Sequence, residues 1–246
     1  MKTLPAEQLY YYHNLLSIIM LFICILFCYL GCRLKSYRSK KKLSLFLIYF
    51  CLLQEFIDYV NRIYWDDLYH FSWATDLPLQ FCVIGFYFSI IGVYLGMSYK
   101  KINHKTEQFF FDVAYVLGFG GALQALINVD LTGVNNMIGA FALNWTHSLI
   151  ILNVLWLIFA YNKRFNVKGI INAFLFINFI IIPVGAINYF LDSNYMFICY
   201  PPSIESSFFI GGWPYYLLYL EIIYFIYICI LYLPFQIFEK HSKKPI

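Results

Sequence analysis

The sequence predicts an all-α, polytopic membrane protein with seven transmembrane helices, its N-terminus outside and its C-terminus cytoplasmic. Three observations support this fold class: the composition, the length of the apolar runs and the placement of the basic residues. Of the 246 residues, 62% are apolar or aromatic and only 12% are charged, whereas globular domains are roughly 25% charged. So little charge cannot cover a water-soluble surface, and the composition is typical of membrane proteins.

Seven apolar runs are long enough to cross a bilayer, for which a helix needs about 20 residues. The first run is short, and we expect the preceding tyrosines at 10–12 to anchor it at the interface. No loop is large enough for a second domain, so residues 1–246 are predicted to form a single membrane domain. The predicted spans are Leu15–Leu30, Leu43–Ile63, Pro78–Met97, Phe109–Asn128, Ile138–Tyr161, Ile170–Phe190 and Trp213–Leu233.

The basic residues separate the loops into two groups. All Lys and Arg residues except Lys2 and Arg62 follow the first, third, fifth or seventh predicted span. Because positive residues mark cytoplasmic loops, this pattern predicts the orientation in the cell membrane. It also accounts for the net charge of +4 without a nucleic-acid partner, and we expect none. The four basic clusters are 33–42, 100–105, 163–168 and 240–244.

Several polar side chains fall within the predicted outer halves of the spans. An ionisable group in hydrocarbon costs roughly 2.5–3.5 kcal/mol, so it is a functional-site hypothesis by default. By helical rise, Glu55, His147 and Glu221 lie about 12–13 Å below the outer surface. We expect them to meet in one polar cavity that opens toward the outer leaflet or the outer water. The predicted lining is Gln54, Glu55, Asp58, Arg62, Gln80, Gln124, Asn144, His147 and Glu221.

Among these residues His147 is the candidate general base, because no other histidine falls inside a predicted span. A carboxylate from Glu55 or Glu221 on one imidazole nitrogen would set the tautomer and leave the other nitrogen free for proton transfer. Cys82, close to the outer surface, is the candidate nucleophile. Amides such as that of Gln80 or Gln124 can donate hydrogen bonds to a developing oxyanion.

Each candidate also has a structural interpretation. Asp58 and Arg62 are spaced i,i+4 and can pair along one helix face. A buried histidine such as His147 is often a satisfied hydrogen-bonding residue, and a buried cysteine such as Cys82 is often a packing residue. We expect neither a metal nor another cofactor. The remaining histidines form no metal-ligand pattern and fall in predicted loops and termini: His13, His70, His104 and His241.

Several segments between the third and seventh spans resemble, in order, the YwaF family of bacterial membrane proteins, which is related to the eukaryotic transmembrane protein 164 family. The resemblance implies a seven-span fold with a site on the outer or lumenal side. The segments are Leu77–Cys82, Gly120–Leu126, His147, Asn188–Tyr189, Asn194–Cys199 and Trp213–Tyr216.

The same resemblance implies an activity. The eukaryotic relatives look like acyltransferases acting on lysophospholipid, with a Cys-His pair at the mouth of span three and a second His in span five. By position the pair falls on Leu79 and Gln80, and the second His falls on His147. This sequence therefore lacks the thiol at the matching place, and a glutamine cannot act as a base at neutral pH. Cys82 lies one helical turn beyond Leu79.

Three functions remain open from the sequence. The preferred one is a lipid-modifying acyltransferase or hydrolase, with membrane lipid as partner and an acyl lipid of the outer leaflet as substrate. The second is a transporter or binding protein for a small polar or lipid ligand, in which the same carboxylates bind a cation or a proton. The third is a structural partner of another membrane protein.

Overall fold

The computed structural model describes residues 3–98, 104–201 and 210–242, without the side chains of 238–242. Within these ranges the chain is helical and contains no strand. Lys100, Lys101, Lys243 and Lys244 of the predicted basic clusters lie outside the described residues. The helices are α1 (Ala6–Arg33), α2 (Tyr37–Val60), α3 (Phe81–Gly96), α4 (His104–Leu117), α5 (Leu123–Ile127), α6 (Met137–Ala160), α7 (Val167–Leu191) and α8 (Tyr215–Ser242).

Two π-helical turns extend the helices. Asn61–Trp65 continues α2, and Gly118–Ala122 joins α4 to α5. Among the described residues, six helical spans are long and apolar enough to cross a membrane, and α3, with 16 residues, is a shorter apolar helix of about 24 Å. This architecture confirms the all-α, multi-pass class. The crossing by α3, the orientation and the single-domain assignment stay predictions.

The boundary error that affects the site concerns the first span. Helix α1 begins at Ala6, well before the predicted start at Leu15, because Leu9 is buried against Leu131 and Ala140 and this contact holds the polar, tyrosine-rich segment in the helix. His13 therefore lies inside a span. The prediction that His147 is the only histidine within a span is wrong.

Helix α6 lies at the centre of the bundle. It contacts α1, α2, α3 and α4, and its buried residues occupy every side of the helix, as expected for a core helix. Helix α7 packs on α4, while α8 contacts α7 and the π-helical turn between α4 and α5. Of the six long spans, α7 and α8 bury the smallest part of their apolar surface within the protein.

Helices α3 and α6 run parallel at close range because α3 presents small residues to α6. A Cβ atom on Gly92 would lie 3.1 Å from Leu157 Cδ1, and one on Gly96 would lie 2.9 Å from Leu157 Cδ2. Closer to the start of both helices, a Cβ on Gly85 would lie 3.8 Å from Ile150 Cδ1. Small residues of this kind let helices approach closely where no hydrophobic effect drives them together.

Helix α1 approaches the backbone of α6 closely at Gly31. A Cβ atom on Gly31 would lie 2.9 Å from Phe159 Cβ and 3.0 Å from the backbone nitrogen of Ala160. We expect Gly31→Ala to lower the free energy of unfolding by about 1–3 kcal/mol, because backbone atoms cannot yield to the added methyl group. Thermal or denaturant unfolding in detergent micelles measures this loss.

The matched control is Gly185→Ala in α7, where a Cβ atom would meet nothing within 4 Å. Alanine is the better helix former by about 1 kcal/mol, so this variant should be as stable as the wild type or more stable. Equal stability of Gly31→Ala and wild type would show that α1 does not contact α6 in this register.

Candidate functional site

His147 lies on α6 and is 8% exposed. Its Nδ1 is 2.7 Å from the carbonyl oxygen of Leu143, one helical turn earlier. Because a carbonyl oxygen only accepts hydrogen bonds, Nδ1 carries the proton of the neutral ring and Nε2 carries the lone pair. No described residue forms a hydrogen bond to Nε2. The imidazole is thus held in one tautomer with one nitrogen available for proton transfer.

His13 on α1 is a second buried histidine with a different environment. Its Nε2 is 3.1 Å from the carbonyl oxygen of Leu126, and its Nδ1 is 3.4 Å from Asn144 Nδ2. Asn144 also donates to Ser17 Oγ at 2.7 Å and to the His13 carbonyl oxygen at 3.1 Å. Asn144, predicted as a binding residue, therefore joins α6 to α1. His13 and His147 are close enough to interact electrostatically.

The two carboxylates predicted to orient His147 have other partners. Glu55 on α2 accepts a hydrogen bond from Tyr87 OH of α3 at 3.0 Å, and Glu221 on α8 accepts one from Asn178 Nδ2 of α7 at 2.6 Å. Among the described residues no hydrogen bond links either carboxylate to His147. A backbone carbonyl of α6 orients the imidazole instead, because each carboxylate is held by a neutral donor on the adjacent helix.

Asp58 and Arg62 form the i,i+4 ion pair that their spacing predicts, at 2.9 Å. Arg62 also lies 3.5 Å from Asp76, which connects the end of α2 to the loop before α3. Partial burial and the neighbouring Asp76 carboxylate raise the pKa of Tyr69, over which the guanidinium lies. The Arg62 side chain is 43% exposed, and exposed pairs contribute about 1 kcal/mol or less. This network fastens the loop before α3 to the end of α2. No hydrogen bond or ion pair joins it to His147 among the described residues.

Gln80 and Gln124 are not brought together either. Gln80 is the residue before α3, and its Oε1 accepts a hydrogen bond from the backbone nitrogen of Met196 at 3.0 Å. Met196 and Phe197 both have left-handed backbone angles, with φ of 60° and 53°, which are unfavourable for residues other than glycine. Gln80 therefore holds a strained turn, whereas Gln124 on α5 is exposed.

This strained turn belongs to a cap formed by residues 73–80 and 188–200. The cap is fastened by Tyr195, whose hydroxyl donates to the carbonyl oxygen of Trp73 and accepts from the backbone nitrogen of Leu77, both at 2.8 Å. Asn188 accepts from the Tyr195 nitrogen at 2.8 Å. Residues 192–200, which follow α7, thus belong to this cap, and residues 202–209 lie outside the described ranges.

Cys82 lies in the first turn of α3, where its Sγ is 3.5 Å from the position of a Cβ on Gly121. This contact joins the thiol to the π-helical turn between α4 and α5, and the α3 stripe that contacts α6 begins one turn later. Ser89 of the same stripe accepts a hydrogen bond from Asn153 Nδ2 at 3.0 Å, in agreement with the glycine contacts. The stripe consists of Gly85, Ser89, Gly92 and Gly96, and the contacted residues of α6 and its C-cap are Ile150, Asn153, Leu157 and Tyr161.

Extending the α3–α6 register by one turn predicts that Cys82 and His147 lie at the same level. The observed contacts join Gly85 to Ile150 and Ser89 to Asn153, so one turn toward the start of both helices leads to Cys82 on α3 and to His147 on α6. No hydrogen bond joins the two side chains in the described part of the chain. The candidate nucleophile and the candidate base are therefore not hydrogen-bonded to each other.

A buried carboxyl group that sequence reasoning missed lies on α4. Asp112 is fully buried and accepts hydrogen bonds from Gln108 Nε2 at 2.7 Å and from Asn172 Nδ2 at 3.1 Å. The i,i+4 spacing of Gln108 and Asp112 is the signal that was available. In residues 3–98, 104–201 and 210–242, no three His, Cys, Asp or Glu side chains are grouped closely enough to hold a metal ion.

Comparison with protein-family models matches residues 8–232 to the TMEM164 family, from the first turns of α1 into α8. The chain belongs to this family. No curated protein and no solved structure gives a significant match. In this TMEM164-family chain, Leu79 and Gln80 stand before α3 where the resemblance implies Cys and His. The side chain of Gln80 is hydrogen-bonded within the cap.

The cap generates a prediction about Gln80. Gln80→Leu removes the acceptor of the Met196 backbone nitrogen, and an unsatisfied buried N–H group costs about 1–3 kcal/mol. We expect faster amide hydrogen exchange in 195–199, measured by mass spectrometry on protein in nanodiscs. Gln124→Leu, at an exposed position, is the control and should leave exchange in the cap unchanged. Equal exchange in both variants would mean that Gln80 does not hold the turn.

Proposed function

We propose that this TMEM164-family protein is a membrane-embedded enzyme that transfers or hydrolyses an acyl ester of a membrane lipid near the outer leaflet. The observation that carries the proposal is the state of His147, whose Nδ1 is bound to Leu143 and whose Nε2 has no hydrogen-bond partner among the described residues. Both ring nitrogens of His13, in contrast, lie within reach of hydrogen-bond partners. A positioned general base contributes a rate factor of about 10²–10⁴.

Cys82 is the nucleophile in this proposal. The family pattern has its thiol at the position of Leu79, which lies before α3 and faces the cap cluster. Cys82 lies one turn further on, at the start of α3, where the α3–α6 register predicts that it is level with His147. Catalytic hydrogen bonds are often long in unliganded enzymes and shorten in the complex with substrate.

The reaction has two half-reactions. In the first, His147 Nε2 accepts the thiol proton, the Cys82 sulfur bonds to the ester carbonyl carbon, and the lipid oxygen leaves with the proton from His147. The acyl group then remains on sulfur as a thioester. In the second, a lipid hydroxyl or water gives its proton to His147 and attacks the thioester, and the released thiolate recovers that proton. An acceptor hydroxyl makes the enzyme a transferase, and water makes it a hydrolase.

Transport of a small polar ligand is the competing function. It is favoured by three buried amide oxygens that have no donor among the described residues, Gln54 Oε1, Asn61 Oδ1 and Asn153 Oδ1. Such oxygens are satisfied when water or a cation occupies the space between helices. Proton-coupled uptake that disappears in Glu55→Gln, without any lipid product, would favour transport over catalysis.

The proposed base is tested by His147→Asn. The asparagine amide can still donate to the Leu143 carbonyl oxygen, but it cannot accept a proton at Nε2. With labelled diacyl lipid and a lysolipid acceptor in proteoliposomes, we expect product formation to fall about 10²–10⁴-fold, as measured by mass spectrometry.

His13→Gln is the control for this substitution, because glutamine can replace the Nε2 donor to Leu126. It should keep activity within about tenfold of the wild type if His13 is structural. Wild-type rates in His147→Asn would defeat the proposed role of His147, whatever the behaviour of His13→Gln.

The covalent half-reaction is tested by Cys82→Ala. With diacyl lipid and no acceptor, intact-protein mass spectrometry should detect one hydroxylamine-sensitive acyl group on the wild type and none on Cys82→Ala. Cys229→Ala, which removes a free thiol from α8, should still carry the acyl group. Turnover at the wild-type rate by Cys82→Ala would show that the thiol is not the nucleophile.

A further inference from the structure

The inward side of α8 carries a buried tyrosine hydroxyl without a hydrogen-bond partner among the described residues. Tyr224 OH is buried and has no hydrogen-bond partner among the described residues. Two other tyrosines at the same contact are satisfied: Tyr227 OH donates to the Phe119 carbonyl oxygen at 2.6 Å, and Tyr115 OH donates to that of Leu231 at 2.9 Å. Burying an unpaired hydroxyl is unfavourable, so its persistence calls for a missing acceptor.

The packing of Tyr224 leads through Leu117 toward α3, the helix that carries the Cys82 thiol. Tyr224 packs against an apolar cluster of α4 and α7 that includes Leu117. Leu117 Cβ in turn lies 3.0 Å from where a Cβ on Gly85 would be, and Gly85 is one turn from Cys82 on α3. The unpaired donor thus lies among α4, α7 and α8, and Leu117 connects this cluster to α3 one turn beyond Cys82.

The contact between α7 and α8 adjoins this region. Two contacts close it: the hydrogen bond between Asn178 and Glu221 at 2.6 Å, and the rings of Phe174 and Phe225, whose centroids are 5.3 Å apart. These two helices bury less of their apolar surface within the protein than the other long spans. The molecules around them in a bilayer are lipids, and the acceptor that an acyl lipid offers is its ester carbonyl oxygen.

We propose that Tyr224 donates its hydroxyl to the carbonyl oxygen of an acyl lipid that enters between α7 and α8. The inference rests on the proposed function for the identity of the ligand, and it specifies the substrate as a lipid with a carbonyl group rather than an ether lipid. When Cys82 attacks the carbonyl carbon, negative charge develops on that oxygen, and the same phenol stabilises it. Tyr224 then touches the reacting group.

The test compares two probes, a diester phosphatidylcholine and its diether analogue, which differ in their carbonyl oxygens. Affinities are measured by thermal stabilisation of the full chain in detergent. The wild type should bind the diester roughly three- to tenfold more tightly, as expected for one hydrogen bond. Tyr224→Phe should bind both lipids with equal affinity and should be as stable as the wild type, because no hydrogen bond within the protein is lost.

Tyr227→Phe and Tyr115→Phe are the matched controls, since each removes a hydroxyl that bonds to a neighbouring helix. Both should lower the melting temperature and keep the preference for the diester. The proposal is overturned if Tyr224→Phe keeps the wild-type preference, or if it loses as much stability as the controls. Because the readout is binding, a protein that selects esters but shows no turnover would defeat the proposed function and retain the Tyr224 site.

Discussion

The close approach of α3 to α6 is the constraint on which the rest of the structure depends. Gly92 and Gly96 leave room for Leu157, so the two helices are held in one parallel register. In lipid, packing of this kind replaces the hydrophobic effect as the main force between helices. A shift by one turn would separate Ser89 from Asn153 and break the hydrogen bond that joins the two helices. The register that packing selects is also the register that sets Cys82 level with His147.

The polar groups of the bundle follow the same physics. A charged or hydrogen-bonding group in hydrocarbon is costly unless it has a partner, and the nearest partner is on the adjacent helix. Glu55 is therefore held by Tyr87, and Glu221 by Asn178, and the two carboxylates do not converge on one imidazole. This distribution separates structural polar groups from His147, whose Nε2 has no protein partner among the described residues.

The helices were largely predictable because apolar runs report span length directly. Ile138–Tyr161 was predicted, and α6 is Met137–Ala160. The start of α1 was not predictable from hydropathy, since a tyrosine-rich segment becomes helical through contacts with distant residues, and His13 was misplaced as a result. The hydrogen-bond partners of the two carboxylates could not be predicted from the sequence for another reason. Tyr87 and Asn178 are neutral donors, and neither charge nor spacing along one helix reveals a bond to the next helix.

The distance between positions 82 and 147 is the sharpest test of the α3–α6 register and of the pairing of thiol and imidazole. A chain with His147→Cys and with no cysteine other than Cys82 can be treated in membranes with a short thiol-to-thiol crosslinker and analysed by mass spectrometry. The α3–α6 register predicts a crosslink between these two positions. Failure to form it, together with efficient crosslinking of Cys82 to a cysteine placed at Leu143 or Ile151, would contradict the register and with it the pairing of thiol and imidazole.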